Sequence, residues 1–171
     1  RGKDFMALAA ESERDLRDLL AIPSNYRVLF LQGGATQHFA QIPLNFARRD
    51  QAVDYVLTGD WSEKAAREAA PFANVRVAAS SAATNYDRVP PRAEWKLGAD
   101  AAYVHVTPNE TIRGVEFTDV PDVGDVPLIG DVSSTILSRP LDVSRYALLY
   151  AGAQKNIGPS GLVVVVVRKD L

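Results

Sequence analysis

The sequence lacks the residues that build disulfides and most metal sites. It contains no cysteine and only two histidines, His38 and His105. Without cysteine there can be no disulfide, no thiolate metal ligand and no cysteine nucleophile. Two histidines are too few for a histidine-rich metal centre. We therefore expect no metal ion in this chain.

A strong net charge and a long apolar run are missing as well. The 19 lysines and arginines nearly balance the 21 aspartates and glutamates, which leaves a formal net charge of -2 and no electrostatic basis for binding nucleic acid. The longest apolar run, at residues 162–167, is far shorter than the ~20 residues of a membrane helix. No basic segment precedes an apolar stretch near the first residue, as in a secretory signal. We expect a cytoplasmic protein that binds neither nucleic acid nor a membrane.

What is present is the composition of an ordinary globular domain. The chain has 171 residues, of which 47% are hydrophobic and 23% are charged, and this length is typical of one domain. It begins at Arg1, without a methionine, directly in a helical pattern, and it ends directly after a strand pattern. We interpret residues 1–171 as one domain that is incomplete at both ends and belongs to a longer polypeptide.

Helix and strand patterns alternate along the chain. Helical spacing of apolar residues predicts helices at residues 5–20, 36–46 and 61–70, the last with Asp60 as N-cap and Glu63 in capping-box position. Apolar runs predict strands at residues 27–31, 53–57, 75–78, 101–106, 127–129, 148–150 and 162–167, whereas residues 111–115 are ambiguous. Alternation of this kind predicts an α/β fold with a mostly parallel sheet and helices on both faces.

Ligands bind such sheets beyond the carboxyl ends of the strands, so these positions matter most. The first strand is followed by residues 32–37 (QGGATQ), a glycine-rich turn that opens a helix. Glycines let backbone N–H groups approach an anion, and the helix N-terminus adds a favourable dipole. The turn has neither the Gly-Lys-Ser/Thr ending of a nucleotide P-loop nor the GxGxxG pattern. An ordinary tight turn explains it equally well.

The next two strand ends carry an aromatic residue and a polar cluster. Trp61 stands at the first helical position after the second predicted strand, where it is either a core residue or a stacking platform for a planar ring. Residues 107–111 (TPNET) follow the strand at 101–106. This polar segment is either part of a binding site or an ordinary turn with a capping threonine.

An acid and an amine follow the last parallel strands. Asp131 stands directly beyond a buried strand, where it is either a helix N-cap or the partner of a cationic ring nitrogen. Lys155 lies between an apolar strand and a Gly-Pro turn. A lone lysine is usually a solvated surface charge, but a desolvated lysine amine is the standard nucleophile for forming a Schiff base with an aldehyde.

Four of these five features, namely the glycine-rich turn, Trp61, Asp131 and Lys155, together match the requirements of a pyridoxal phosphate site. Such a site needs a lysine for the aldehyde, an acid beside the pyridine nitrogen, an aromatic side chain over the ring and a helix start for the phosphate. Each feature alone is weak evidence. Their occurrence at the ends of strands in one parallel sheet is far more specific, and it predicts pyridoxal 5′-phosphate as the cofactor.

The sequence also resembles a known family along its whole length. The segments that carry the likeness are RGKDF at residues 1–5, IPSNYRVLFLQGGATQHFA at 22–40, PNETI at 108–112, DVSSTILSRPLDVSRY at 131–146 and YAGAQKNIGPSG at 150–161. They resemble the phosphoserine aminotransferases, which are class V, fold-type I pyridoxal phosphate enzymes. The resemblance implies that residues 1–171 form the cofactor-binding large domain of such an enzyme.

The resemblance implies roles for residues around the cofactor. Lys155 matches the lysine that forms the Schiff base, and Gln154 matches the neighbouring glutamine that contacts the cofactor. Asp131 matches the acid that pairs with the pyridine nitrogen. Thr111 matches the threonine near the ring hydroxyl, and Trp61 matches the stacking aromatic residue.

Three further matches concern anionic groups. Ala35 and Thr36 match the pair whose backbone holds the cofactor phosphate, and Arg1 matches the arginine that binds the substrate carboxylate. Many members of the family carry an arginine where Thr36 stands, and that arginine helps to bind the substrate phosphate. The resemblance also implies a homodimer whose partner subunit and C-terminal small domain complete the pocket.

The implied reaction moves an amino group between glutamate and 3-phosphohydroxypyruvate to give phosphoserine and 2-oxoglutarate. This is a step of serine biosynthesis, with a role in pyridoxine biosynthesis left open. One alternative is another class V aminotransferase with a different oxo acid. A related desulfurase is disfavoured, since its chemistry uses a thiol. The other alternative is a non-catalytic α/β module that binds a small molecule or a nucleotide.

Overall fold

The computed structural model describes residues 2–171 and contains three α-helices and nine strands within that range. The helices are α1 (Lys3–Leu19), α2 (Gly34–Phe46) and α3 (Asp60–Ala69). The strands are β1 (Tyr26–Leu31), β2 (Ala52–Leu57), β3 (Asn74–Ser80), β4 (Val104–Val106), β5 (Asn109–Glu110), β6 (Val115–Glu116), β7 (Leu128–Asp131), β8 (Leu148–Gly152) and β9 (Val163–Arg168). All three predicted helices and all seven predicted strands are present.

Seven strands form one sheet in the order β1-β9-β8-β7-β4-β2-β3. The pairs β8–β7, β7–β4, β4–β2 and β2–β3 are parallel, whereas β9 is antiparallel to both β8 and β1. Among the described strands of this sheet, β9 alone therefore runs against the other six. The prediction of a mostly parallel sheet is confirmed, and the carboxyl ends of those six strands lie at one edge.

Helices cover both faces of the sheet, as predicted. On one face α2 and α3 pack through residues such as Phe39 and Ala65 against the strands. On the other face the C-terminal end of α1 packs through Leu16 together with long connecting segments. Side chains of β8 pack into the cores on both faces: Tyr150 packs on the side of α2 and α3, and Leu149 packs on the side of α1. This alternation explains why its sequence is a continuous apolar run.

The predicted start of α3 is wrong in one respect. Gly59 is the N-cap, and Asp60 is the first helical residue, which pairs with Arg113 (Oδ2 to Nε, 2.6 Å). The Ser62 hydroxyl accepts the Gly59 N–H at 3.1 Å, a role that the capping-box pattern assigned to Glu63. The helix does not need Asp60 as a cap because a carboxylate from elsewhere in the chain satisfies its first N–H groups, as described below.

The structure settles one segment that was ambiguous in the sequence and extends one predicted strand. The ambiguous residues 111–115 are mostly a turn, which joins β5 to β6 in a two-stranded antiparallel sheet. Strand β7 extends through Asp131, because Asp131 pairs with Tyr150 of β8. Asp131 is thus the last residue of a strand rather than the first residue beyond it. No helix within residues 2–171 has both the length and the apolar character needed to cross a membrane.

Candidate active site

Most of the predicted site residues line one cleft at the carboxyl edge of the sheet. The cleft is narrow in this structure, with a cavity volume of about 30 Å³. The predicted residues in its walls are Ala35, Trp61, Thr111, Asp131, Gln154 and Lys155. They come from five separate segments of the chain, and the strand order brings them together.

Asp131 provides a buried carboxyl group at the floor of this cleft. It is 5% exposed, and its Oδ1 accepts hydrogen bonds from the backbone N–H (3.0 Å) and the hydroxyl (2.6 Å) of Ser133. Burial raises the pKa of Asp131 to about 6, although the bonds from Ser133 and the charge of Lys155 act in the opposite direction. A cationic group in the cleft would therefore stabilise the ionised form of this acid.

Ser133 also fixes where this carboxyl group lies. Its hydroxyl oxygen accepts the backbone N–H of Gly152 at 2.9 Å while the hydroxyl donates to Asp131. One side chain thus joins the end of β7 to the end of β8. The segment that follows Asp131 forms turns rather than a helix, so the alternative interpretation of Asp131 as a helix N-cap is wrong.

A buried pair behind Asp131 extends its hydrogen-bonded surroundings. His105, which is 1% exposed, has its Nε2 2.8 Å from the Tyr150 hydroxyl, and burial lowers its pKa to about 3, so the ring is neutral. Its Nδ1 has no partner among the described residues. Since an unpartnered N–H costs more than an unpartnered lone pair, the proton is favoured on Nε2, which donates to Tyr150.

Tyr150 can then direct its own proton towards Asp131. The two residues are direct neighbours across the parallel β7–β8 pair. Burial raises the pKa of Tyr150 well above its usual range, and the nearby Asp131 carboxyl adds to this shift. The neutral tyrosine is therefore a donor that supports the ionised carboxylate from behind.

Lys155 provides the amine of the cleft. It follows β8, and its Nζ donates to the Thr111 hydroxyl at 2.6 Å. Its side chain is exposed in the described chain, so the desolvated environment suggested by its flanking residues is not present here. The amine and the Asp131 carboxyl nevertheless line the same cleft, as the chemistry of a pyridoxal phosphate site requires.

The aromatic wall and the helix start complete the cleft. Trp61 is half-buried in the first turn of α3, and Ala35 lies in the first turn of α2. The turn before Ala35 needs glycine, because Gly33 has φ +97° and Gly34 has φ +63°. A Cβ on Gly152 would lie 2.9 Å from the backbone nitrogen of Ala35, so the end of β8 and the start of α2 are in close contact.

One predicted residue, Thr36, does not line this cleft. Thr36 lies beside it, where its hydroxyl accepts a hydrogen bond from Lys64 Nζ at 3.2 Å. The role expected of Arg1 falls on a residue outside the described range 2–171. The cation next to Thr36 is thus the amine of Lys64, which also lies 5.7 Å from the centre of the Trp61 ring.

Four further residues line the cleft: Thr107 and Asn109 belong to the polar segment 107–111 singled out in the sequence, whereas Ser133 and Ser134 have no role predicted from the sequence. Asn109 Nδ2 donates to the Ser134 hydroxyl at 2.9 Å and so closes one wall. The hydroxyl of Thr107 is buried and has no partner within the described chain, which points to a polar group bound in the cleft. Ser133 and Ser134 lie two and three positions beyond the end of β7, and this signal could have identified them as well.

The sequence and the fold match one family of enzymes. The family model "Aminotransferase class-V" matches residues 1–171. Phosphoserine aminotransferases from Pseudomonas syringae and Pseudomonas entomophila are 59% and 61% identical over the whole chain, which covers 47% of each relative. The chain thus spans about half the length of these curated relatives.

Solved structures give the same result. A phosphoserine aminotransferase from Bacillus circulans has a TM-score of 0.96 at 52% identity, with 99% of this chain and 47% of that chain covered. A phosphoserine aminotransferase from Trichomonas vaginalis, described as bound to PLP, has a TM-score of 0.90 at 45% identity, with 99% and 48% covered. From its sequence, its fold and its strand-end cleft, the chain belongs to the class V aminotransferases.

Proposed function

We propose that residues 1–171 are the cofactor-binding large domain of a pyridoxal-phosphate-dependent phosphoserine transaminase. The enzyme transfers the amino group of glutamate to 3-phosphohydroxypyruvate and releases phosphoserine and 2-oxoglutarate. The observation that carries this proposal is the meeting of the Lys155 amine, the Asp131 carboxyl and the Trp61 ring in one cleft. The names of the relatives and of the similar structures support the substrate assignment.

The residues of the cleft fit the cofactor. Lys155 offers a primary amine for the aldehyde, and Asp131 offers a buried acid for the ring nitrogen. The first turn of α2 at Ala35 offers the positive end of a helix dipole to a phosphate. The unpartnered hydroxyl of Thr107 offers one more hydrogen bond to a bound group.

Asp131 and Lys155 have different chemical roles in the proposed reaction. When bound, pyridoxal phosphate supplies the electron sink that makes loss of a proton from the substrate α-carbon feasible. The Asp131 carboxylate stabilises positive charge at the ring nitrogen. The Lys155 amine would bind the cofactor aldehyde, and as general base and general acid it would accept a proton from the substrate α-carbon and donate one to C4′.

Thr111 and Trp61 orient these groups. The Thr111 hydroxyl accepts from Lys155 Nζ at 2.6 Å, which keeps the amine on its side of the cleft. Trp61 offers an aromatic face to a planar ring. From the family resemblance we further propose a cytoplasmic homodimer that acts on small molecules in serine biosynthesis, with its active sites completed by parts of the enzyme outside these 171 residues.

The proposal is tested by amino transfer in the full-length enzyme. With glutamate and 3-phosphohydroxypyruvate, we expect equal formation of 2-oxoglutarate and phosphoserine. Lys155→Ala should lower turnover by at least about 10²–10⁴-fold, the range of a lost general base. Lys96→Ala, a change at an exposed lysine outside the cleft, is the control and should leave turnover unchanged.

Two results would contradict the proposal. Undiminished turnover by Lys155→Ala would show that the Lys155 amine is not the general base of the reaction. Transfer to an unphosphorylated oxo acid, with none to 3-phosphohydroxypyruvate, would instead identify another class V aminotransferase. This second comparison is informative because Thr36 stands where, by the family resemblance, many members carry an arginine that helps to bind the substrate phosphate.

A further inference from the structure

Glu110 is a buried acid for which neither the sequence pattern nor the proposed chemistry has a role. Its side chain is 0% exposed, and it lies at the end of β5 next to the start of α3. One carboxylate oxygen accepts the backbone N–H of Trp61 at 3.0 Å, and the other accepts that of Ser62 at 2.8 Å. Both oxygens of this buried carboxyl group thus bind the first turn of one helix, α3.

This contact replaces the ordinary cap of α3. The first N–H groups of a helix have no partner within the helix, and an N-cap side chain usually binds one of them. The N-cap here is Gly59, which has no side chain. Glu110 therefore caps the helix from 48 to 49 positions further along the chain, and its negative charge is favourable at the helix N-terminus.

Gly59 and Glu110 fit each other sterically. A Cβ added to Gly59 would lie 2.6 Å from the carboxyl carbon of Glu110, closer than real Cβ atoms approach a neighbour. A side chain at position 59 would therefore push the carboxyl group away from its position at the start of the helix. The absence of a side chain at position 59 makes room for the carboxyl group of Glu110, and that group takes over the capping of α3.

The same short segment also contacts the opposite wall of the cleft. Thr111, the next residue, accepts the hydrogen bond from Lys155 Nζ. Arg113 of the following turn donates to both carboxylate oxygens of Asp60, at 2.6 and 3.2 Å, which adds a second link to the start of α3. Residues 110–113 thus place Trp61 and Lys155 relative to each other.

We propose that Glu110 is a positioning residue, whose carboxylate holds the first turn of α3 so that the Trp61 ring lies parallel to a planar cofactor in the cleft. This inference rests on the proposed function, since it assumes that Trp61 stacks on a bound pyridine ring. Loss of the carboxylate frees two backbone N–H groups, loosens the first helical turn and lets the ring of Trp61 change its orientation.

The test measures cofactor binding by the full-length protein from which the cofactor has been removed. Pyridoxal phosphate is titrated in, and both its Kd and the visible circular dichroism of the bound cofactor are recorded. Glu110→Ala should weaken binding at least about tenfold and change the dichroic band, because it deletes two charge-assisted hydrogen bonds. Glu110→Gln, which keeps one acceptor oxygen, should have a smaller effect.

A matched control separates positioning from general stability. Asp54 is also a 0% exposed carboxylate with two partners, Arg76 Nε at 2.8 Å and the Gly98 N–H at 2.7 Å, but it lies outside the cleft. Asp54→Asn should lower the melting temperature and leave the Kd within about twofold of the wild type. If Glu110→Ala does not fold, Gly59→Ala displaces the carboxylate without deleting it and should weaken binding in the same way.

A double-mutant cycle decides whether Glu110 acts through Trp61. In a Trp61→Ala background, Glu110→Ala should cause little further loss of affinity, because the side chain that it positions is gone. Full additivity of the two losses would overturn the proposal, as would wild-type Kd and dichroism in the Glu110 variants. Failure of the wild-type protein itself to bind pyridoxal phosphate would be a different result, which overturns the proposed function as well.

Discussion

A single buried carboxyl group, that of Asp131, links the stability of this chain to its chemistry. Burial raises its pKa from 3.8 to about 6, so between these pH values the folded state binds more protons than the unfolded state. Its contribution to stability is therefore full below about pH 4 and is lost as the pH rises through about 6. At pH 7 the ionised carboxylate costs about 3 kcal/mol in the cofactor-free protein.

Asp131→Asn should reverse this cost. We expect the free energy of unfolding at pH 7 to rise by up to about 3 kcal/mol, and the gain to vanish near pH 4, where the carboxyl group is protonated in both proteins. Turnover should fall, because the amide cannot balance a cationic ring nitrogen. Urea denaturation of the cofactor-free protein between pH 4 and 8 measures the effect.

The outcome at Asp54 serves as the comparison. This second buried carboxylate pairs with Arg76, which in Asp54→Asn keeps only the exposed Asp100 as a charged partner, so the substitution should destabilise the protein. A gain for Asp131→Asn that does not change between pH 4 and 8 would show that the ionisation of this carboxyl group is not its source.

Individual residues also show how far the sequence can predict a site. Asp131, Lys155 and Trp61 were identifiable because each lies at or shortly after the end of a buried strand, where parallel sheets bind ligands. Glu110 was not, because its partners lie 48 to 49 positions away and only the packing of β5 against α3 brings them together. Asp60 has the residue type and position of an N-cap, but the carboxylate of Glu110 takes that role.

At the scale of secondary structure elements, the site depends on the contact between β8 and α2. A Cβ on Gly152 would lie 2.9 Å from the backbone nitrogen and 3.1 Å from the Cβ of Ala35. Backbone atoms cannot swing aside as a flexible side chain does. Any side chain at position 152 must therefore displace the first turn of α2, where we place the cofactor phosphate.

Gly152→Ala should weaken the binding of pyridoxal phosphate by about tenfold or more, given the 1–3 kcal/mol typical of overpacking. Pyridoxal, which has no phosphate, should lose much less affinity, because its contacts lie at Asp131 and Lys155. Titration of the cofactor-free protein with both compounds measures this difference. Gly2→Ala, a glycine with nothing within 4 Å of an added Cβ, is the control. Equal losses for both compounds would contradict the assignment of the phosphate to α2.

The sequence predicts the positions of the strands better than their directions and order. Apolar runs locate every strand of the large sheet, and alternation with helices predicts that most strands are parallel. The reversed direction of β9 was not predictable, because the run Val163–Val167 is apolar on both faces and looks the same in either direction. Strand order was likewise open, since it depends on contacts between distant parts of the chain.

At the scale of the whole molecule, large apolar side chains of α1 lie exposed among the described residues. Phe5, Met6 and Leu8 of α1 are 67%, 61% and 59% exposed, although they lie at helical spacing. The chain spans about half of the curated relatives. Our proposal of a longer, dimeric enzyme is consistent with both facts, and it accounts for the exposure of Lys155 in a cleft that further parts of the enzyme would close.

The central claim is that Lys155 bonds covalently to the aldehyde of pyridoxal phosphate. Borohydride reduction of the protein incubated with the cofactor, followed by trypsin digestion and mass spectrometry, tests it directly. A modified lysine resists trypsin, so we expect one peptide spanning residues 146–168 that carries a reduced phosphopyridoxyl group. Lys3, Lys64, Lys96 and Lys169 should stay unmodified. Cleavage after an unmodified Lys155, with the label absent or spread over these other lysines, would contradict the account.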